Sequence, residues 1–399
     1  MRQVLGRVGP WVGLSTSPVA LVAGGGVAEG LRGWSLVVAL VVGSLLLATL
    51  AGAQGVVGQR TGRPLASITA DTLGTAGSRW VGSVVMLAMM LGWFGVNAGL
   101  AGVATGRLVG LPDPAGIALF AAVLLAVALR GLGVLSWAGL AAGVAATALA
   151  AYGMALVLDG EELTLSGGLT ASQPMSLAAG ITLMVGYGAA FSLRTPDFTH
   201  DLARASQVVA CALWGLGVPL IGFATAGALL YAATGEWDLA EALRALGSAD
   251  LAYLFVAVGF TGSVLTNIWS GGLALRDVAP AVGRITAMVA VTALGAAAAA
   301  AGLADRALDW LTLMALAAPG LVVLCVLARD TTDGPRPAWR MIPLSAWAMG
   351  IVCAIGLQIA GSSFALPAAA LIPAAAFLLL MRLTGRHDDP TPEKIDEHD

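Results

Sequence analysis

The sequence predicts an all-α polytopic membrane protein of about twelve transmembrane helices. Of its 399 residues, 58% are hydrophobic and only 11% are charged, against roughly a quarter in a soluble domain. Mean hydropathy is +0.88. Apolar runs of about 20 residues recur from end to end, each long enough to cross a roughly 30 Å hydrocarbon core as a helix. The alternating pattern of a membrane β-barrel is missing.

The runs fall at 12–28, 34–53, 80–106, 115–129, 134–158, 176–193, 206–233, 250–275, 285–302, 308–327, 341–360 and 365–383. The first has no small-residue cleavage site with a polar region behind it, so it does not read as a signal peptide. The positive-inside rule sets the orientation. With both termini in the cytoplasm, 16 of the 20 basic residues lie inside; Arg32, Arg107, Arg244 and Arg306 lie outside. One helix more or fewer would scramble that bias, so the count supports an even number of spans in the cytoplasmic membrane. The loops are short. The one at 234–249 carries Glu236, Asp238 and Glu241 with Leu239, Ala242 and Leu243 between them, and reads as a short surface helix. Residues 385–399 read as a disordered acidic tail.

Several function classes fall away. A nucleic-acid binder needs a basic patch, and Lys394 is the sole lysine. Cys211, Cys325 and Cys353 lie in apolar runs at unrelated spacings and read as small core residues. His200, His387 and His398 lie in loops or the tail. No catalytic constellation is visible, so the chain does not read as an enzyme. The centres of the runs hold no Asp, Glu, His or Lys, which disfavours proton coupling through a buried carboxylate. A Na⁺ site needs only hydroxyl and backbone oxygens, and those are available.

Polar groups at depth are few. The two asparagines, Asn97 and Asn267, fall in the third and eighth runs. A buried amide is costly unless hydrogen-bonded, and interhelical glue is the plain explanation. Asn97, however, follows Trp93 by four residues, which places both on one helix face. Trp93 sits mid-run, away from the interfacial belts where Trp concentrates. An aromatic face beside an amide suits a flat, hydrogen-bonding heterocycle. Two runs look breakable. The first contains Ser15-Thr16-Ser17-Pro18, where Pro18 lacks a backbone donor. The sixth contains Gly186-Tyr187-Gly188, where two glycines weaken a helix. Gly24-Gly25-Gly26 reads as packing or a helix end. Breaks in runs one and six, with asparagines in three and eight, give the offset expected of two five-helix halves, with a substrate near the midplane between them.

Four passages then carry a resemblance: Gly24-Gly25-Gly26-Val27-Ala28-Glu29-Gly30, Gly92-Trp93-Phe94-Gly95-Val96, Thr195-Pro196-Asp197-Phe198-Thr199 and Thr266-Asn267-Ile268-Trp269-Ser270-Gly271-Gly272-Leu273. In order and spacing they resemble the nucleobase–cation symporters of the cytosine permease, purine permease and hydantoin transporter type, over residues 5 to about 380. The resemblance implies a leucine-transporter-type 5+5 inverted repeat with two added helices: a core at 1–330, the pair at 331–384 and the tail beyond. It implies alternating access, cation-coupled uptake and no other cofactor. Trp93 would stack on the heterocycle and Asn267 would bond its edge. Asn97, Ser17, Pro18, Tyr187 and Gly188 would complete the pocket. A Na⁺ site would map to Gly13, Thr16, Val258, Thr261, Gly262 and Ser263. The chain departs from the family pattern at Gly262, which has no hydroxyl, at Gly188, where cytosine permeases place an aromatic, and at His200, where Arg is usual. Arg194 and Asp197 read either as an inner gate or structural salt bridge, or as part of a solvated cytoplasmic loop with Asp201 and Arg204. The expected function is Na⁺-coupled import, in preference to H⁺, of a nucleobase-like heterocycle by a monomer in the bilayer. The competing readings are an amino-acid or amine carrier of the same fold and a membrane sensor that does not transport.

Overall fold

The computed structural model describes residues 2–159, 174–303, 307–328 and 336–383. The acidic tail and most of the 159–175 loop lie outside them. Each of the twelve apolar runs is helical. Run one is α1 (Arg2–Ser15) and α2 (Pro18–Gly30), and run two is α3 (Gly33–Thr61). The short α4 (Leu65–Leu73) and α5 (Thr75–Gly77) lead through a π-helical turn into α6 (Ser83–Val109), followed by α7 (Asp113–Leu129) and α8 (Leu132–Val157). The second half holds α9 (Leu177–Arg194), α10 (Pro196–Thr199), α11 (Ala205–Ala210), α12 (Val218–Thr234), α13 (Leu239–Ala245), α14 (Ala249–Val278), α15 (Arg284–Ala300) and α16 (Ala307–Leu327). Finally α17 (Met341–Ile359) and α18 (Ala365–Leu383) pack on each other and on α16.

Nine helical stretches of the described residues are long and apolar enough to span a bilayer. Two apolar helices are shorter, α7 (Asp113–Leu129) and α15 (Arg284–Ala300), at 17 residues each. A 17-residue helix rises only about 25 Å, so these fall short of the full hydrocarbon thickness by length alone.

Packing repeats with an offset of five runs. α2 lies on α12 as α9 lies on α3, and α1 lies on α8 as α9 lies on α16. In the same way α6 meets α7 as α14 meets α15, and α15 meets α6 as α7 meets α14. α6 and α14 form the central pair. The two halves thus make equivalent contacts, as the sequence offset implied.

The surface helix appears as α13, whose N-cap Asp238 accepts the Ala240 N–H at 2.9 Å. Leu239 and Leu243 are its buried face. The Gly24 region is packing rather than a helix end, since α2 runs on to Gly30. A methyl group at Gly24 would lie 1.9 Å from the Ala224 carbonyl oxygen, and one at Gly227 would lie 1.9 Å from the Leu21 carbonyl oxygen. Backbone meets backbone here, so relief requires moving a helix. Gly24→Ala is expected to cost about 3 kcal/mol, the upper end of ordinary overpacking, read as a lower melting temperature of the purified protein.

The first break occurs where the sequence placed it. Ser17 is extended (φ −76°, ψ 155°), with Pro18 opening α2. The second break is elsewhere. α9 runs unbroken through Gly186-Tyr187-Gly188 and ends at Arg194, and Pro196 opens α10. Gly188 serves close packing: a methyl there would come 2.5 Å from Leu47 Cδ2 on α3. At the real interruption Pro196 has no N–H for the Ser192 carbonyl. The Thr195 hydroxyl serves that oxygen instead, at 3.0 Å, shared with Ala51 O at 2.9 Å.

Candidate functional site

Where the first break meets α6, α9 and α14, a small cavity opens, and five of the seven predicted pocket residues line it: Ser17, Trp93, Asn97, Tyr187 and Asn267. Phe191, Arg194 and Ser263 complete its polar and aromatic wall, with Leu14, Val19 and Ala190 as apolar filling. Pro18 and Gly188 do not line it. Pro18 faces Gly259, where an added methyl would sit 2.6 Å from the proline Cδ, and Gly188 faces Leu47.

Tyr187 clasps the break. In a continuous helix the Leu14 carbonyl would take the N–H of residue 18, which a proline lacks. The Tyr187 hydroxyl donates to that carbonyl, and with its one proton so used it accepts from Ser17 Oγ at 2.8 Å. The chemistry of the partners fixes how the asparagines point. Arg194 only donates, so the Asn267 atom 3.0 Å from its Nη1 is Oδ1. Asn267 Nδ2 then has no partner. Ser263 Oγ donates to Phe260 O at 2.9 Å, so it accepts from Asn97 Nδ2 at 3.2 Å. Asn97 Oδ1 is left without a partner. The two lining amides therefore keep one buried donor and one buried acceptor without a protein partner, on residues that line the cavity with Trp93.

Arg194 is the residue that sequence reasoning misplaced. It belongs to no solvated loop: it is 3% exposed and lines the cavity. Besides Asn267, it donates to Thr266 Oγ1 at 3.0 Å and Met90 Sδ at 2.9 Å. Its Cζ lies 5.3 Å from the Phe191 ring centroid and 6.0 Å from that of Phe198. The signal was its spacing: residues 187, 191 and 194 share one helical face. Asp197 is also buried, and its carboxylate accepts the Leu65 N–H at 3.0 Å rather than pairing directly with Arg194. It lines a second cavity with Asp277, Ser83 and Ser270. Burial pushes the Asp197 carboxyl up to about 6, against the pull of the Leu65 N–H. Asp201 and Arg204 are exposed, as expected of a loop, with Asp201 taking Arg7 Nε at 3.2 Å.

The residues mapped to a Na⁺ site offer suitable oxygens. Thr16, Thr261 and Ser263 hydroxyls each donate to a nearby carbonyl, at 2.8, 3.1 and 2.9 Å, which leaves the lone pairs of Thr16 and Thr261 for a cation, and one on Ser263 beside that taken by Asn97 Nδ2. Gly13 and Gly262, however, bring α1 and α14 into backbone contact: a methyl at Gly13 would lie 2.7 Å from Gly262 Cα. The donor chemistry fits Na⁺, while the space between these two glycines is closed in this arrangement. Val258 is half-buried on the same helix.

Comparison with known proteins places this geometry. The family described as permeases for cytosine/purines, uracil, thiamine and allantoin matches residues 10–318. A cytosine permease of Escherichia coli O157:H7 is 24% identical over 358 residues, 87% of this chain and 83% of its own. The cytosine permease of Escherichia coli strain K12 is 23% identical over the same length. Among solved structures, the nucleobase-cation-symport-1 family transporter Mhp1, closed with bromovinylhydantoin bound, superposes with a TM-score of 0.77 at 18% identity, covering 95% of this chain and 93% of that one. A Na⁺-coupled sialic acid symporter gives a TM-score of 0.66 at 10% identity, covering 96% and 90%. These two likenesses bear on the fold, a multi-pass bundle of related five-helix halves. With most of its length matched, the chain belongs to the family of permeases for cytosine/purines, uracil, thiamine and allantoin.

Proposed function

We propose that this permease imports a nucleobase or related planar heterocycle by cation symport, through alternating access about the cavity. The observation that carries this reading is the pair of free amide groups beside Trp93. Asn97 Oδ1 asks for a ligand N–H, and Asn267 Nδ2 asks for a ligand acceptor. A lactam or amidine edge supplies both in one plane, and Trp93 offers that plane a stacking partner. The match to cytosine permeases supports the same class. Capture of an amino-acid carboxylate at the first break is the poorer fit, because the Ser17 hydroxyl, a donor it would need there, is already given to Tyr187. Residues 1–330 would form the transport core, with both termini cytoplasmic and all twelve apolar helices crossing the membrane.

A thermal-shift panel of cytosine, uracil, hypoxanthine, allantoin and hydantoin, run beside amino acids and amines, tests the substrate class. Stabilisation by at least one heterocycle and by no amino acid or amine is expected. The reverse ranking defeats the proposal.

Na⁺ is the coupling ion of the leading reading, on the strength of the Thr16, Thr261 and Ser263 oxygens. It requires α1 and α14 to part at Gly13 and Gly262. A proton is the second reading, favoured by Asp197, which holds its proton below about pH 6 and releases it above. Uptake driven by a Na⁺ gradient at constant pH and unchanged in Asp197→Asn is expected for Na⁺. Uptake driven by a pH gradient without Na⁺, and lost in Asp197→Asn, would assign the proton.

A further inference from the structure

The substrate cavity contains a cation with no directly paired counter-charge: Asp197, three residues on, acts on it only from beyond ion-pair distance, its carboxylate taking the Leu65 N–H instead. Arg194 is buried, and among the described residues no carboxylate lies within ion-pair distance of it. All its direct partners are neutral: an amide oxygen, a hydroxyl, a thioether and two phenyl faces. Its Nε–H is buried with no acceptor. Asn267 Nδ2, on the amide that Arg194 holds, is likewise a donor without a partner. Two unused donors thus accompany one positive charge at this wall, while Asn97 opposes them with a single free acceptor. A buried charge without a directly paired counter-charge is costly in a protein interior. At membrane depth such a residue marks the path or site of a transported species. A neutral heterocycle would fill the hydrogen bonds and leave the guanidinium without a direct ion-pair partner.

We infer that the permease takes its planar heterocycle as an anion, a ring bearing a carboxylate or an ionised ring oxygen, with Arg194 as the counter-charge. The anionic edge would face Arg194 and Asn267, and a ring N–H would face Asn97. The selectivity against neutral bases then lies in α9, at the residue before the Thr195–Pro196 interruption. Any movement of α10 relative to α9 would shift the guanidinium, so release of the anion is linked to the same joint.

This inference rests on the heterocycle reading, and the test separates the two. Binding of orotate, uracil and cytosine to the purified protein is compared near neutral pH; orotate is the uracil ring with an added carboxylate. Orotate is expected to bind at least tenfold more tightly than uracil. Arg194→Gln should erase that preference, bringing orotate down to the level of uracil, while Arg194→Lys should keep part of it. Tighter binding of uracil or cytosine than of orotate by the wild type overturns the anion inference and leaves the heterocycle reading standing. The wild-type ranking decides this even where Arg194→Gln does not fold. An orotate preference that survives in a folded Arg194→Gln also overturns it. Folded wild-type protein that binds none of the three defeats both.

Discussion

Trp93→Ala is expected to weaken heterocycle binding by roughly 5- to 150-fold, the equivalent of about 1–3 kcal/mol of base stacking. The residue sits in the one place where its size and polarisable face both matter. It is 9% exposed, lines the cavity and lies one helical turn from Asn97 on α6. Truncation removes the stacking partner and also leaves a void beside Met89 and Met90, so a stability loss of about 3–5 kcal/mol accompanies it. The two effects separate in Trp93→Phe, which keeps an aromatic face and most of the volume. That variant should melt close to the wild type and lose less affinity than Trp93→Ala. Equal binding by wild type and Trp93→Ala, measured on folded protein, would remove stacking from the account.

The second large effect belongs to Tyr187→Phe. Removal of one oxygen leaves the Leu14 carbonyl with only the Ser17 N–H at 3.1 Å, and frees the Ser17 hydroxyl that had been held at 2.8 Å. Each lost intramolecular hydrogen bond costs about 1 kcal/mol, and here two are lost at the joint between α1 and α2. A lower melting temperature and at least tenfold slower uptake are both expected. Slower uptake with unchanged melting would mean that the hydroxyl contacts substrate rather than holding the joint. Unchanged values of both would show that the break needs no clasp.

What could be read from the sequence follows from how local each cause is. The twelve apolar runs are local, and each became helix. Pro18 is local too: a missing N–H breaks a helix wherever it falls. The two glycines around Tyr187 misled because each costs a helix only about 1 kcal/mol, which close contact with Leu47 outweighs. Pro196 held the correct signal, but it was read as part of a loop. The amides at 97 and 267 stand out because they are the chain's two asparagines and both fall inside apolar runs. Which of their atoms is free depends on Ser263 and Arg194, partners 166 and 73 residues away. Arg194 was missed because the positive-inside count treats a basic residue at a run's end as solvated. Its burial depends on four helices meeting around it, and composition carries no trace of that. The closeness of Gly13 and Gly262 is likewise tertiary.

The measurement closest to the central claim is uptake of radiolabelled cytosine, uracil, hypoxanthine and orotate into liposomes carrying the purified protein, with wild type and Trp93→Ala side by side. The account predicts saturable accumulation of at least one of these by the wild type, above protein-free liposomes, and its loss in Trp93→Ala. Folded wild-type protein that accumulates none of them, or a Trp93→Ala variant that accumulates them equally well, would contradict it.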